Sequence, residues 1–227
     1  MINTIIFDMD GVIIDSVKVH FRIWKEVAAK YNVEFDEKFL DRVNGMDTPR
    51  IAQTLVDEFK LSASADEIAV EKRRLSGEKI KEGVELFPGV KDTLGNLKKL
   101  GYRIGLATMS PREHVENALG TNILNLELDK IVTADDVANP KPAPDIFLKC
   151  AEKLGKEPEQ CVVVEDAING ITAAKSAGMK AIALTTTTSK DKFTEADAII
   201  PSIKNLNSDL IHALESKIEI TKEEQNE

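Results

Sequence analysis

The sequence predicts a doubly wound α/β fold, an open parallel sheet with helices on both faces, interrupted after its first strand by an all-helical insertion. Three observations predict it. Short apolar runs rich in β-branched residues recur with amphipathic helical patterns between them, the alternation expected of a parallel sheet. One run, Val162-Val163-Val164, is apolar at every position, as a strand covered on both sides must be. Residues 17–83 break the alternation and read as four successive helices.

Taken in order, the first strand is Thr4–Phe7. In the helical block Val17, Phe21, Trp24, Ala28 and Tyr31 fall on one apolar stripe. A second helix holds Phe39, Leu40 and Val43; a third, opening near Thr48-Pro49, holds Ile51, Leu55 and Phe59; the fourth, about Ala65 to Ile80, is heavily charged. The block is entered near Asp15-Ser16 and left near Leu86-Phe87, which predicts a small second domain on two linkers. Pro88-Gly89 opens a helix with Val90, Leu94, Leu97 and Leu100 on one side, closed by Gly101. Strands at Arg103–Ala107, Lys130–Thr133, Cys161–Val164, Ala181–Leu184 and Ala198–Ile200 follow. Pro111 and Pro144 open helices, the latter running through Ile146, Phe147, Cys150, Ala151 and Leu154. The tail from Lys217 reads as a fraying helix end.

At 227 residues and 42% hydrophobic content the chain can bury a substantial core. Thirty Lys and Arg against 39 Asp and Glu give a net charge of −9, which repels phosphate backbones and argues against a nucleic-acid partner. Nothing approaches the apolar length of a membrane span, and no leader pattern precedes the first strand. We therefore expect a cytoplasmic protein with no membrane partner, monomeric or a small homo-oligomer. Cys150 and Cys161 lie among apolar neighbours outside any metal or redox spacing, so they are expected to be buried free thiols. Neither G-x-x-x-x-G-K-[ST] nor G-x-G-x-x-G occurs, which removes the two commonest nucleotide loops.

The chemistry concentrates at strand ends. Asp8-Met9-Asp10-Gly11 follows the first strand directly. Residues two apart on extended backbone point the same way, and ligands of open α/β sheets bind outside the carboxyl ends of the strands, so Asp8 and Asp10 can face one ligand. Gly11 permits the turn that aims them. The second strand ends Ala107-Thr108-Met109-Ser110 before Pro111, a hydroxyl and backbone N–H groups able to seat a phosphate. Lys141, between Pro140 and Pro142, has its backbone restrained on both sides. The apolar run Val162–Val164 ends in Glu165-Asp166, two acids that need a cation or hydrogen bonds in compensation. Oxygen ligands of this kind suit Mg²⁺, which keeps several waters and is completed by substrate phosphate.

This order, D-x-D-G, then Thr, Lys and Glu-Asp, resembles the haloacid-dehalogenase-like superfamily of phosphotransferases over nearly the whole chain. The resemblance implies a Rossmann-like core formed by residues 1–15 and 86–227, with residues 16–85 as a mobile helical C1 cap. It implies that Asp8 is the nucleophile, Asp10 the general acid and base, and that Thr108 and Lys141 hold the phosphoryl oxygens. It further implies Mg²⁺ held by Asp8, the backbone carbonyl of Asp10, Asp166 and Glu165. His20-Phe21-Arg22 with Trp24-Lys25, and Lys141 to Phe147, are similar to segments of the β-phosphoglucomutases within that superfamily. By the same resemblance His20, Arg50 and Ser110 are candidate substrate contacts, Arg50 following Asn44-Gly45-Met46-Asp47-Thr48-Pro49 with a spacing one residue longer than in the mutases. Met109-Ser110-Pro111-Arg112 departs from the mutase pattern after the second strand. The expectation is a phosphohydrolase acting on a small phosphorylated metabolite; the alternatives are a β-phosphoglucomutase and a catalytically silent binding protein on the same fold.

Overall fold

The computed structural model describes all residues except 44, 45, 47, 81–83, 121, 123–125 and 224–227. Asn44, Gly45 and Asp47 of the segment before Arg50, the end of the helical block at Gly83, and the last four tail residues thus lie outside the described residues. Six parallel strands, β1 (Thr4–Phe7), β2 (Arg103–Ala107), β3 (Lys130–Val132), β4 (Cys161–Glu165), β5 (Lys180–Leu184) and β6 (Ala198–Ile200), form one sheet in the order β3-β2-β1-β4-β5-β6. The chain steps outward from β1 through β2 to β3, then crosses to β4 and steps the other way. Such a reversal opens a crevice at the carboxyl ends of the two central strands, here β1 and β4, where Ile6 pairs with Val163.

Alternation along β1 builds two cores. Ile5 and Phe7 pack on one face with Ile104, Leu106, Val162, Val164, Ile182 and Leu184, under helices α5 (Val90–Lys99), α6 (Arg112–Leu119) and α9 (Ser208–Glu223). Ile6 joins Val163, Ala181 and Ala183 on the other face, under α7 (Asp145–Leu154) and α8 (Ile168–Ser176). Gly105 makes room for α7, since a Cβ there would stand 2.5 Å from Cys150 Sγ. Both cysteines are buried and free, as expected.

Among the described residues between β1 and α5 lie four helices, α1 (Ser16–Ala29), α2 (Glu37–Val43), α3 (Thr48–Phe59) and α4 (Ala65–Ile80). They enclose a separate apolar cluster that includes Ile23, Trp24, Val27, Phe39, Leu55 and Ile68. The face of α1 turned into it is centred on Ile23, Trp24, Val27 and Ala28, so Val17, placed on that stripe by the sequence, instead borders the crevice. The two connecting segments run antiparallel: Asp15 N donates to Glu85 O and Phe87 N to Ile13 O, each at 3.0 Å. Among the described residues no helix is long and apolar enough to cross a membrane.

Candidate active site

A cleft of about 710 Å³ opens at the carboxyl edge of the sheet, lined by Asp8, Asp10, Thr108, Lys141, Glu165 and Asp166, with Ser16, Val17 and His20 of α1 on its other side. Asp8 is still tied to the sheet, its N–H donating to Val164 O at 3.0 Å. The chain then turns sharply, Val12, Ile13 and Ile14 N–H groups all converging on Met9 O. Gly11 carries φ +78° in that turn, a conformation that costs other residues.

Lys141 reaches the cleft from the Pro-rich loop before α7. Its Nζ lies 2.6 Å from Asp8 Oδ1 and 2.7 Å from Glu165 Oε1, with the Phe147 ring centroid 4.8 Å away. Burial alone would lower the Lys141 pKa, but the pull of Asp8 and Glu165 outweighs it and holds the ammonium above its ordinary value. Glu165 spends its other oxygen on Ala167 N–H at 2.5 Å and presses on α8, where a Cβ at Gly170 would stand 2.0 Å from Glu165 Cδ.

Asp8, Glu165 and Asp166 are all buried, and each offers an oxygen within 4.8 Å of the others. Burial pushes Asp8 up to about 7, Glu165 and Asp10 adding to it while Lys141 opposes. Asp166 is likewise raised, by burial and then by the charges of Glu165 and Asp8. With all three acids ionised, the Lys141 ammonium balances only one of them, and these buried carboxylates keep a surplus of negative charge. An oxygen-only set carrying that surplus fits one divalent hard cation such as Mg²⁺.

Thr108 is buried, its N–H spent on Val132 O at 3.0 Å. Its Oγ1 accepts the Ser110 N–H at 3.1 Å, so of the N–H groups read as a phosphate seat these two are engaged, and the hydroxyl hydrogen is what Thr108 can offer a ligand. Ser110 Oγ donates to Asp10 Oδ2 at 3.0 Å, while Asp10 Oδ1 is buried without a partner. His20 Nδ1 is also buried and unpartnered. Burial, then the charges of Lys72 and His114, lower the His20 pKa to about 4 against the opposing pull of Asp10. Arg50 is exposed on α3 and does not line the cleft, unlike His20 and Ser110.

Several residues here escaped sequence reasoning. Lys72 of α4 and His114 of α6 reach the surroundings of Asp10 and His20 through the packing of α4 against α6. Thr187, Thr188, Ser189 and Lys192, just after β5, line the cleft as well. The signal available for these was the hydroxyl run Thr185–Ser189, which abuts a strand's carboxyl end as the acid pairs do.

A family model described as haloacid dehalogenase-like hydrolase matches residues 5–184. The fructose-1-phosphate phosphatase of Escherichia coli is 37% identical over 179 residues, covering 78% of this chain and 94% of that protein. The β-phosphoglucomutase of Bacillus subtilis is 30% identical over 219 residues, covering 92% and 94%. The solved β-phosphoglucomutase structure from Clostridium difficile gives a TM-score of 0.71 at 27% identity, covering 97% of this chain and all of that one. The family match runs from within β1 to the end of β5 and takes in Asp8, Asp10, Thr108, Lys141, Glu165 and Asp166 of the cleft; the chain belongs to the haloacid dehalogenase-like hydrolases.

Proposed function

We propose that this protein is a Mg²⁺-dependent phosphohydrolase that releases phosphate from a small phosphorylated metabolite, of the sugar-phosphate class, through an aspartyl-phosphate on Asp8. The observation that carries the reading is the setting of Asp8: a buried carboxylate at the mouth of the switch-point cleft, held at Oδ1 by Lys141, with Asp10 following two residues later. A carboxylate oxygen of Asp8 attacks phosphorus and the bond from phosphorus to the substrate's ester oxygen breaks. Asp10 gives that oxygen its proton; with Oδ2 already accepting from Ser110, Oδ1 is the oxygen that carries it. The resulting Asp10 carboxylate then takes a proton from water, which attacks the aspartyl-phosphate, and inorganic phosphate leaves with Asp8 restored.

The Lys141 ammonium and Thr108 hydroxyl hold the phosphoryl oxygens as charge shifts among them. Asp8, the Asp10 carbonyl and Asp166, with Glu165 beside them, would hold Mg²⁺, which would supply neutralisation of phosphoryl charge. In this reading residues 16–85 are a cap that closes over the substrate on the paired segments at Asp15 and Glu85, and residues 1–15 with 86–227 are the core. Closure excludes water and brings His20 onto the substrate.

The likeness to the fructose-1-phosphate phosphatase supports hydrolysis of a sugar phosphate. The mutase likeness, which spans more of the chain, favours a second reading: return of the phosphoryl group to a sugar. The deciding experiment measures phosphate release from a panel of phosphorylated metabolites, alongside β-glucose 1-phosphate primed with a trace of the 1,6-bisphosphate. Free phosphate is the expected product; glucose 6-phosphate without free phosphate would establish the mutase. Asp8→Asn should abolish either activity, and beryllofluoride should form an adduct with the wild type only.

A further inference from the structure

Two adjacent threonines at the end of β5 reach across the sheet edge into the acidic cluster. Thr186 Oγ1 donates to Gly11 O at 2.5 Å, and Thr187 Oγ1 lies 2.5 Å from Asp166 Oδ2 and 3.1 Å from Asp166 O. Both lie just past β5, in the turn and bend that follow it, where one threonine grips the turn after β1 while its neighbour grips the acid after β4. Asp166 is confined from the other side as well, its Oδ2 so close to Gly11 that no Cβ would fit between them. Of the two contacts with Asp166 the shorter is to the carboxylate, so the hydroxyl hydrogen is directed there rather than to the carbonyl.

We propose that Thr187 is a positioning residue for Asp166: its hydroxyl fixes the plane of that carboxylate so that the acid meets a divalent cation without reorganising. The inference rests on the reading of Asp166 as a Mg²⁺ ligand. A buried carboxylate beside two others repels them and, unrestrained, rotates away; a neutral donor on one oxygen holds it without adding charge to the site. Partners of this kind orient metal ligands elsewhere, and their loss weakens metal binding about 10–100-fold. Valine is the discriminating replacement, since it keeps the β-branched shape of threonine and removes only the hydroxyl.

Direct Mn²⁺ binding, followed by electron paramagnetic resonance of the free ion, tests this without reliance on turnover. Thr187→Val should bind Mn²⁺ about 10–100-fold more weakly than the wild type, and Thr187→Ser should stay within about threefold of it, because serine keeps the donor. Raising Mg²⁺ should restore the Thr187→Val kcat, with the KM for substrate little changed. Thermal unfolding of each variant confirms that it is folded. Wild-type affinity in Thr187→Val, or equal loss in the valine and serine variants, overturns the assignment of Thr187 alone. A wild type that binds no Mn²⁺ overturns it together with the reading of the metal site.

Discussion

Gly11 and Asp166 approach so closely that a Cβ built on Gly11 would stand 2.0 Å from Asp166 Oδ2. Gly11 is therefore required twice over, by its φ of +78° and by the carboxylate packed against it. Gly11→Ala should cost about 1–3 kcal/mol of stability through backbone strain. It should also displace Asp166, raising the Mg²⁺ concentration for half-maximal activity at least about tenfold. Gly77→Ala is the contrast: nothing lies within 4 Å of its Cβ position on the exposed side of α4, and it should add about 0.5–1 kcal/mol. Thermal unfolding with a Mg²⁺ titration of activity measures both effects. Unchanged Mg²⁺ activation in Gly11→Ala would show that Asp166 can shift without consequence.

Lys141 supplies the counter-charge nearest both Asp8 and Glu165, and its side chain is only 11% exposed. Removing one partner from a buried ion pair leaves uncompensated charge, at a cost of about 3–5 kcal/mol. Lys141→Met should show that loss in chelator and a smaller one in Mg²⁺, because a cation in the cluster replaces part of the missing charge. Its turnover should fall about 10²–10³-fold or more, the scale for losing one charge-stabilising donor. Equal destabilisation with and without Mg²⁺ would separate the lysine from the metal cluster.

With Asp8 as a Mg²⁺ ligand, as proposed, protons and metal would compete for the same oxygens. Asp8, raised to about 7 by burial and its acidic neighbours, takes up a proton as the pH falls through that value, and a cation must then displace it. Mg²⁺ affinity should accordingly be level at alkaline pH and fall by about one decade per pH unit below pH 7 for each proton displaced. Calorimetry in two buffers of different ionisation enthalpy reads the released proton directly. Affinity that does not change between about pH 8 and pH 6 would mean that Asp8 is ionised throughout.

The strands and the residues at their ends were legible because each apolar run stops at a polar residue that the run itself does not explain. Asp8 after Phe7 and Glu165-Asp166 after Val164 are costly in a dry sheet edge unless something binds there, so local pattern alone marked them. Lys72 and His114 carry no such mark. They meet the site only through the packing of α4 on α6, a relationship that no spacing along the chain encodes; Thr187 stands in a hydroxyl run after β5, but which of those hydroxyls meets Asp166 follows from the adjacency of β5 to β4. The orientation of α1 was misjudged at Val17 for a related reason: its partner α4 is so highly charged that its few buried residues, Ile68, Ala69 and Leu75, give no periodic stripe to pair with. Arg50 was singled out by its place after a segment similar to the mutases, and placement on an exposed turn of α3 is a matter of how four helices pack.

His20 and Arg50 therefore separate cleanly as tests of substrate selection. His20 lines the cleft with a buried, unpartnered Nδ1, and a polar atom in that position gains from a substrate hydroxyl and loses when none arrives. His20→Ala should lower kcat/KM for the true metabolite about 10–100-fold, with kcat sharing in the loss because remote contacts are used for closure and orientation. For p-nitrophenyl phosphate, which lacks the distal groups, the effect should be several times smaller. Arg50→Ala, at an exposed site outside the cleft, should stay within about 0.5 kcal/mol of wild type on both substrates. In that role the imidazole would be a neutral hydrogen-bonding group, since burial and then the Lys72 and His114 charges hold its pKa near 4 despite Asp10. Its Cε1–H resonance should thus stay flat as the pH falls and move only on approaching 4. Titration near the ordinary histidine value would mean that water reaches His20 when the four helices are in place, and selection by a buried imidazole would then be wrong even if the alanine variant loses activity.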